Sequence, residues 1–184
     1  MRGVYLDLGA NVGGTIRAFM QEHPSYACYA FEPNKALLPM IADVGLDLGR
    51  DINVIWGAAW VHDGAIDLFG SGRAAASTII HGKQEYEDLG WPAIDYSQPS
   101  RVPAIDLSRW LVQNFTRDDH VVVKMDIEGA EYKVLRKLLD DGSISLISRL
   151  RCEWHHDRFP EITEQEHDEL RAEVARHVPV EDWV

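Results

Sequence analysis

The chain has two cysteines, Cys28 and Cys152, no apolar run near the length of a membrane span, and 18 basic side chains against 30 acidic ones. Each shortage closes off a class of protein. Two cysteines are too few for a disulfide framework and fit a reducing compartment; both lie in apolar runs and read as buried thiols. A membrane-crossing helix needs roughly 20 consecutive apolar residues, so no membrane association is expected. The first apolar run begins within a few residues of Met1, which leaves no room for a signal peptide, so a cytoplasmic location is expected. A formal net charge of −12, with Lys and Arg scattered, offers no clustered basic surface for phosphates, so direct nucleic-acid binding is not expected.

What is present is an ordinary globular composition, 46% hydrophobic and 26% charged over 184 residues, with one domain expected. The chain is organised around residues 4–14, VYLDLGANVGG. Val4, Tyr5 and Leu6 read as a buried strand, Asp7 as its tip, and the small residues after it as a turn opening a helix. Gly9, Ala10, Asn11, Gly13 and Gly14 let backbone approach a ligand closely. One thing is again missing: the dinucleotide fingerprint needs a second glycine two residues after the first, and Asn11 stands there. Such a turn suits a nucleoside ligand without a pyrophosphate, and S-adenosylmethionine is one.

Helical spacing of Ile16, Phe19 and Met20 predicts a helix over residues 13–22, stopped by His23-Pro24. ACYAF (27–31) predicts a second strand ending at Glu32-Pro33-Asn34, an acid about 20 residues past the glycine turn, where a ribose is bound in nucleotide folds. A helix is expected through Leu37, Ile41 and Leu46, started late or kinked by Pro39. Residues 53–60 predict a third strand and 64–69 an exposed one beside it. Residues 70–103 are polar and rich in Gly, Ser and Pro, and read as a long loop insertion. Helix is expected over 106–115, a strong strand over 120–125 (HVVVKM), helix over 131–140 and a fifth strand ending at Trp154. A Thr163/Glu166 capping box opens a last helix, with one short strand after it. Strand and helix alternate throughout, which predicts an α/β doubly wound, mostly parallel sheet in the order 3-2-1-4-5. The two cysteines then lie several strands apart and cannot form a disulfide.

Three segments in this order, LDLGANVGG, FEPN and VKMDIEGAEYKVL, resemble the FkbM family of S-adenosylmethionine-dependent methyltransferases; VPAIDLSRWL and LRCEWH add to the likeness. The resemblance implies a Rossmann-like class I methyltransferase fold. It implies that Asp7, Gly9, Asn11 and Gly13 line the methionine part of the cofactor, Glu32 binds the ribose, residues 56–59 border the adenine, and Asp126 faces the sulfonium. With the flanking Ala10, Pro33 and Ala58 these are the candidate cofactor residues. Compared with the family's pattern little precedes the first strand and little follows the fifth. The C-terminal strands are therefore expected to be truncated, and a second subunit in a homo-oligomer is a candidate to complete the pocket.

Methyl transfer asks the protein to hold an acceptor in line with the methyl group and, for a hydroxyl, to help remove its proton. Asp126, Glu153 and His155 are the candidate catalytic residues, with His155 or Asp126 as base. Glu153 and His155, two apart in a strand, should share a face that Trp154 does not. Mg²⁺ on these carboxylates is an alternative that no dense ligand spacing demands, so no metal ligand is assigned. Plainer readings stand beside these. Asp7 could cap its turn, Glu32 could be a solvated loop residue, and Glu128 and Glu131 could serve a helix N-terminus. His81, His120 and His156 read as surface residues, and Trp91 as core or as a substrate platform. The expected activity is O-methylation of a small molecule or sugar hydroxyl. The alternative is a cofactor-binding subunit that is non-catalytic or depends on a partner; an NAD-binding domain is disfavoured by Asn11.

Overall fold

A computed structural model describes residues 1–70, 77–84 and 93–183. Six strands form one parallel sheet: β1 (Gly3–Leu8), β2 (Ala27–Glu32), β3 (Ile52–Trp56), β7 (His120–Met125), β8 (Arg149–Cys152) and β9 (Val180–Asp182). Their order, β3-β2-β1-β7-β8-β9, is the expected one extended by the last strand. The direction of winding reverses between β1 and β7, and there two strand ends diverge to leave a crevice.

Side-chain alternation assigns the two faces. Val4, Leu6 and Leu8 of β1 and Val121, Val123 and Met125 of β7 pack against α3 (Leu107–Asn114), α4 (Glu131–Asp140) and α5 (Glu164–Ala175). Tyr5 and Val122 face the opposite way, onto α1 (Gly14–Glu22) and α2 (Leu38–Leu48). The result is three layers with strands buried on both faces, as parallel sheets require. Local signals explain the helix ends. Pro39 sits in the first turn of α2, where its missing N–H costs nothing, so the helix starts late rather than kinking. Thr163 and Glu166 form the expected capping box of α5.

The expected third strand divides at Gly57: β3 stays in the main sheet, and β4 (Ala58–Trp60) joins a second, three-stranded sheet. That sheet holds β5 (Gly64–Gly70) and a long β6 (Asp95–Asp106), antiparallel to each other. Part of the stretch read as loop is thus strand. β4 pairs only with Ala104–Asp106, so the earlier part of β6 has no partner on that side among the described residues, and Pro99 and Pro103 are tolerated there. β8 stops at Cys152 rather than Trp154. Cys28 and Cys152 are both free and buried, on strands separated by β1 and β7. Among the described residues no helix is long and apolar enough to cross a membrane. Trp91 lies outside the described residues.

Candidate active site

Asp7 and Lys124 are register partners on neighbouring strands, and the period of two turns both toward the α1/α2 face. There Lys124 Nζ lies 3.4 Å from Asp7 Oδ1 and 3.1 Å from Asp126 Oδ2, and donates to the Gly9 carbonyl at 2.8 Å. Thr15 donates to the other Asp7 oxygen. Burial works against the charge on Lys124, but Asp7 and Asp126 outweigh it and raise its pKa. This buried knot fastens the first turn to the end of β7. Gly9, at φ 78°, must pass close there: a Cβ on it would lie 1.9 Å from the Asp126 carbonyl oxygen.

Above the knot opens a concave, part-apolar cleft of the kind small molecules occupy. Gly9 and Asn11 line it from the first turn, Glu32 and Pro33 from the end of β2, Ala58 from β4, and Asp126 and Glu128 from the end of β7. Phe31, Leu37, Leu68, Ile79 and Ile127 give it apolar walls. The Gly9 and Ala10 N–H groups both donate to the Phe31 carbonyl, joining turn to strand. Glu32, 4% exposed, accepts the Asn11 N–H on one carboxylate oxygen and the Asn34 N–H on the other, each at 2.8 Å. Burial raises its pKa against the effect of those two donors. Asn11, left-handed at φ 52°, leaves its side-chain Oδ1 buried with no hydrogen-bond partner among the described residues.

Of the expected cofactor residues, Gly9, Asn11, Glu32, Pro33, Ala58 and Asp126 line the cleft. Asp7, Ala10 and Gly13 are not among its lining. Asp7 is fully buried beneath the floor, Ala10 packs in the core with Ile16, and Gly13, at φ 80°, forms the N-terminal boundary of α1.

The end of β7 curls around one carboxylate. Glu131, fully buried at the start of α4, accepts the Ile127 N–H at 2.8 Å and the Gly129 N–H at 2.9 Å. Between them Glu128 adopts a left-handed φ of 56°. Glu131 Oε1 also lies 3.1 Å from His155 Nδ1. This aims His155 Nε2 at Glu128 (3.4 Å), Glu153 (3.6 Å) and Asp126 (4.0 Å). Burial by itself lowers the pKa of His155, but Glu131, then Glu128 and Asp126, push it up to about 9. The ring therefore carries a proton at neutral pH. Burial, then Asp126, raises the Glu153 carboxyl. Although the strand ends early, Glu153 and His155 do meet, while Trp154 packs away from them against Tyr132 and His167. Both also line a second cleft of about 880 Å³ with Trp183, His167 and Arg171.

Sequence reasoning missed three contributors. Lys124 showed only as one polar residue in HVVVKM, and its meaning needs the register with Asp7. Glu131 was read as a helix-terminal acid. Lys83, in the stretch read as loop, carried no signal; its buried ammonium lies 2.7 Å from Glu128. The same short segment is pinned to the site by Thr78, whose hydroxyl donates to the Glu128 carbonyl at 2.7 Å.

A doubly wound parallel sheet with an acid-lined cleft at its switch point, a glycine turn on one side and an acid at the next strand tip define a Rossmann-like methyltransferase. The family model for the methyltransferase FkbM domain matches residues 7–178. The chain belongs to the FkbM methyltransferase family. Among curated proteins and solved structures none matches it significantly.

Proposed function

We propose that the protein uses S-adenosylmethionine to methylate a hydroxyl oxygen of a small molecule or sugar. The observation that carries this reading is the pairing of Glu32 with Asn11 at one end of the cleft and the Asp126, Glu153 and His155 group at the other. A nucleoside ribose would place its hydroxyls against Glu32, whose oxygens keep lone pairs beyond the two backbone donors, and against the orphaned Asn11 Oδ1. Pro33 and Ala58 would flank the base, with Gly9 leaving room for the amino-acid part. When bound, S-adenosylmethionine supplies a methyl group already activated on a sulfonium.

What the protein adds is position and charge. Asp126 faces the reacting end and balances positive charge there. Because His155 holds its proton, the base falls to a carboxylate. Glu153 is 38% exposed, has no lysine or arginine partner among the described residues and a raised pKa, and takes the proton released by the acceptor hydroxyl. The acceptor enters from the second cleft, where Glu153 and His155 are reachable.

Calorimetry with S-adenosylhomocysteine tests this. Wild-type protein binds it, and Glu32→Ala weakens binding at least tenfold, about 1.4 kcal/mol. Tight NAD binding with none of S-adenosylhomocysteine would overturn the reading.

A further inference from the structure

His155 Nε2 poses a separate question. The side chain is only 6% exposed, its Nδ1 is held by Glu131, and Nε2 makes no hydrogen bond among the described residues. It points instead into a group of carboxylate oxygens, of which Asp126 Oδ1 and Glu153 Oε1 likewise have no hydrogen-bond donor among the described residues. Asp126 gives its other oxygen to Lys124, and Glu128 is paired with Lys83. Around this ring, five carboxylates (Asp7, Asp126, Glu128, Glu131 and Glu153) face three cationic groups, Lys83, Lys124 and the His155 imidazolium. The local charge therefore leaves room for a cation.

We propose that His155 Nε2, Asp126 Oδ1 and Glu153 Oε1 form a binding site for one divalent cation of the Mn²⁺ or Mg²⁺ kind, with Glu131 as the residue that positions the histidine. Ligands about 2.1 Å from an ion stand about 3 Å apart at right angles and about 4.2 Å apart when opposite. The separations of 3.6 Å and 4.0 Å from Nε2 fall between these limits. Asp126, Glu131 and His155 already place ligand atoms within 4.8 Å of one another, and Glu153, half-exposed, swings in to complete the set. Two oxygens and one imidazole suit an ion that accepts mixed hard ligands and keeps water on its open side. A metal-bound histidine usually gives its other ring nitrogen to a carboxylate, and Glu131 occupies that place. The ion takes the position of the Nε2 proton. Between Asp126 on the first cleft and Glu153 and His155 on the second, the ion replaces Glu153 as the group that activates the acceptor, holding its oxygen and lowering the pKa of its proton. This catalytic role rests on the methyltransferase reading above; ion binding does not.

The test is a titration of the purified full-length chain with Mn²⁺ alone, followed by electron paramagnetic resonance and calorimetry. One ion per chain is expected, with a nitrogen hyperfine coupling from the imidazole. His155→Gln abolishes the coupling, and Glu153→Gln, at a half-exposed position that leaves the fold intact, weakens binding at least tenfold. Glu131→Gln, with folding checked by thermal unfolding, weakens it by about 10- to 100-fold. No Mn²⁺ binding up to millimolar concentration overturns the proposal. So does binding that is unchanged in both His155→Gln and Glu153→Gln, which would place the ion elsewhere. S-Adenosylhomocysteine titrated into the same samples separates the two ideas: its binding without Mn²⁺ binding rejects only the metal site, and the reverse rejects only the cofactor reading.

Discussion

Two acids at the strand ends, both buried, differ in whether they line the cleft. Glu32 lines the open cleft, whereas Asp7, which looks equally ligand-like in LDLGANVGG, is sealed beneath it with Lys124. The two therefore fail differently. Glu32→Ala is expected to lose ligand affinity with little loss of stability. Asp7→Ala leaves the Lys124 ammonium buried with less compensation, and is expected to cost on the order of 3 kcal/mol in urea unfolding. An Asp7→Ala protein as stable as wild type would show that the buried pair matters little. Glu32 was legible as a cleft-lining acid because it stands at a strand tip before Pro33. The burial of Asp7 was not, because only the pairing of β1 with β7 puts a lysine opposite it.

At the scale of elements, the tightest point is where the first turn crosses the end of β7. Gly9 is left-handed there, and an added Cβ would strike the Asp126 carbonyl. Gly9→Ala is expected to lower the melting temperature and to weaken S-adenosylhomocysteine binding together, since one backbone shift moves both the turn and Asp126. A normal melting temperature in that variant would mean the turn adapts without disturbing β7. α5 carries a different sensitivity. His167 stacks on His156 at 3.9 Å, touches Trp154 and accepts or donates a hydrogen bond at the Tyr132 hydroxyl. Asp168 and Arg171 on its own helix and Asp182 on β9 also act on it. Burial, then His156, lowers its pKa, so the unfolded chain takes up this proton first as pH falls. Stability from His167 is present above its unfolded value of about 6.5 and is lost as pH drops through the lower, folded value. His167→Phe keeps a stacking ring and should flatten the wild-type decline in urea-unfolding free energy below pH 6.5. An unchanged slope would assign that decline to other groups.

The elements also show where sequence reading ran out. β1, α1, β2, β7 and α4 were legible because apolar period and glycine or proline signals agree along each of them. β6 was not, because DYSQPSRVPAID is polar, carries two prolines and earns its strand geometry only by pairing with β5 and β4. The split at Gly57 was hidden for a similar reason: NVIWGAAW is one continuous apolar run whose two halves go to different sheets. Lys83 reaches Glu128 from the stretch between β5 and β6, a contact no local pattern announces.

Over the whole molecule, the fold sets one cleft at the switch point and a second on the other side of His155. Under the proposed function the first would admit the methyl donor and the second the acceptor. A ligand that binds only the folded chain stabilises it by mass action, so S-adenosylhomocysteine at 100 times its Kd should add about 2.7 kcal/mol to unfolding. Glu32→Ala, binding tenfold more weakly, should keep only about half of that gain, about 1.4 kcal/mol, at the same ligand concentration. The most direct measurement is a crystal structure of the chain with S-adenosylhomocysteine bound. The ribose hydroxyls should lie within hydrogen-bond distance of Glu32, and the sulfur should face Asp126, with Glu153 and His155 beyond it. A ligand seated with its ribose away from Glu32, or with its sulfur turned from Asp126, would contradict the assignment of this cleft to methyl transfer.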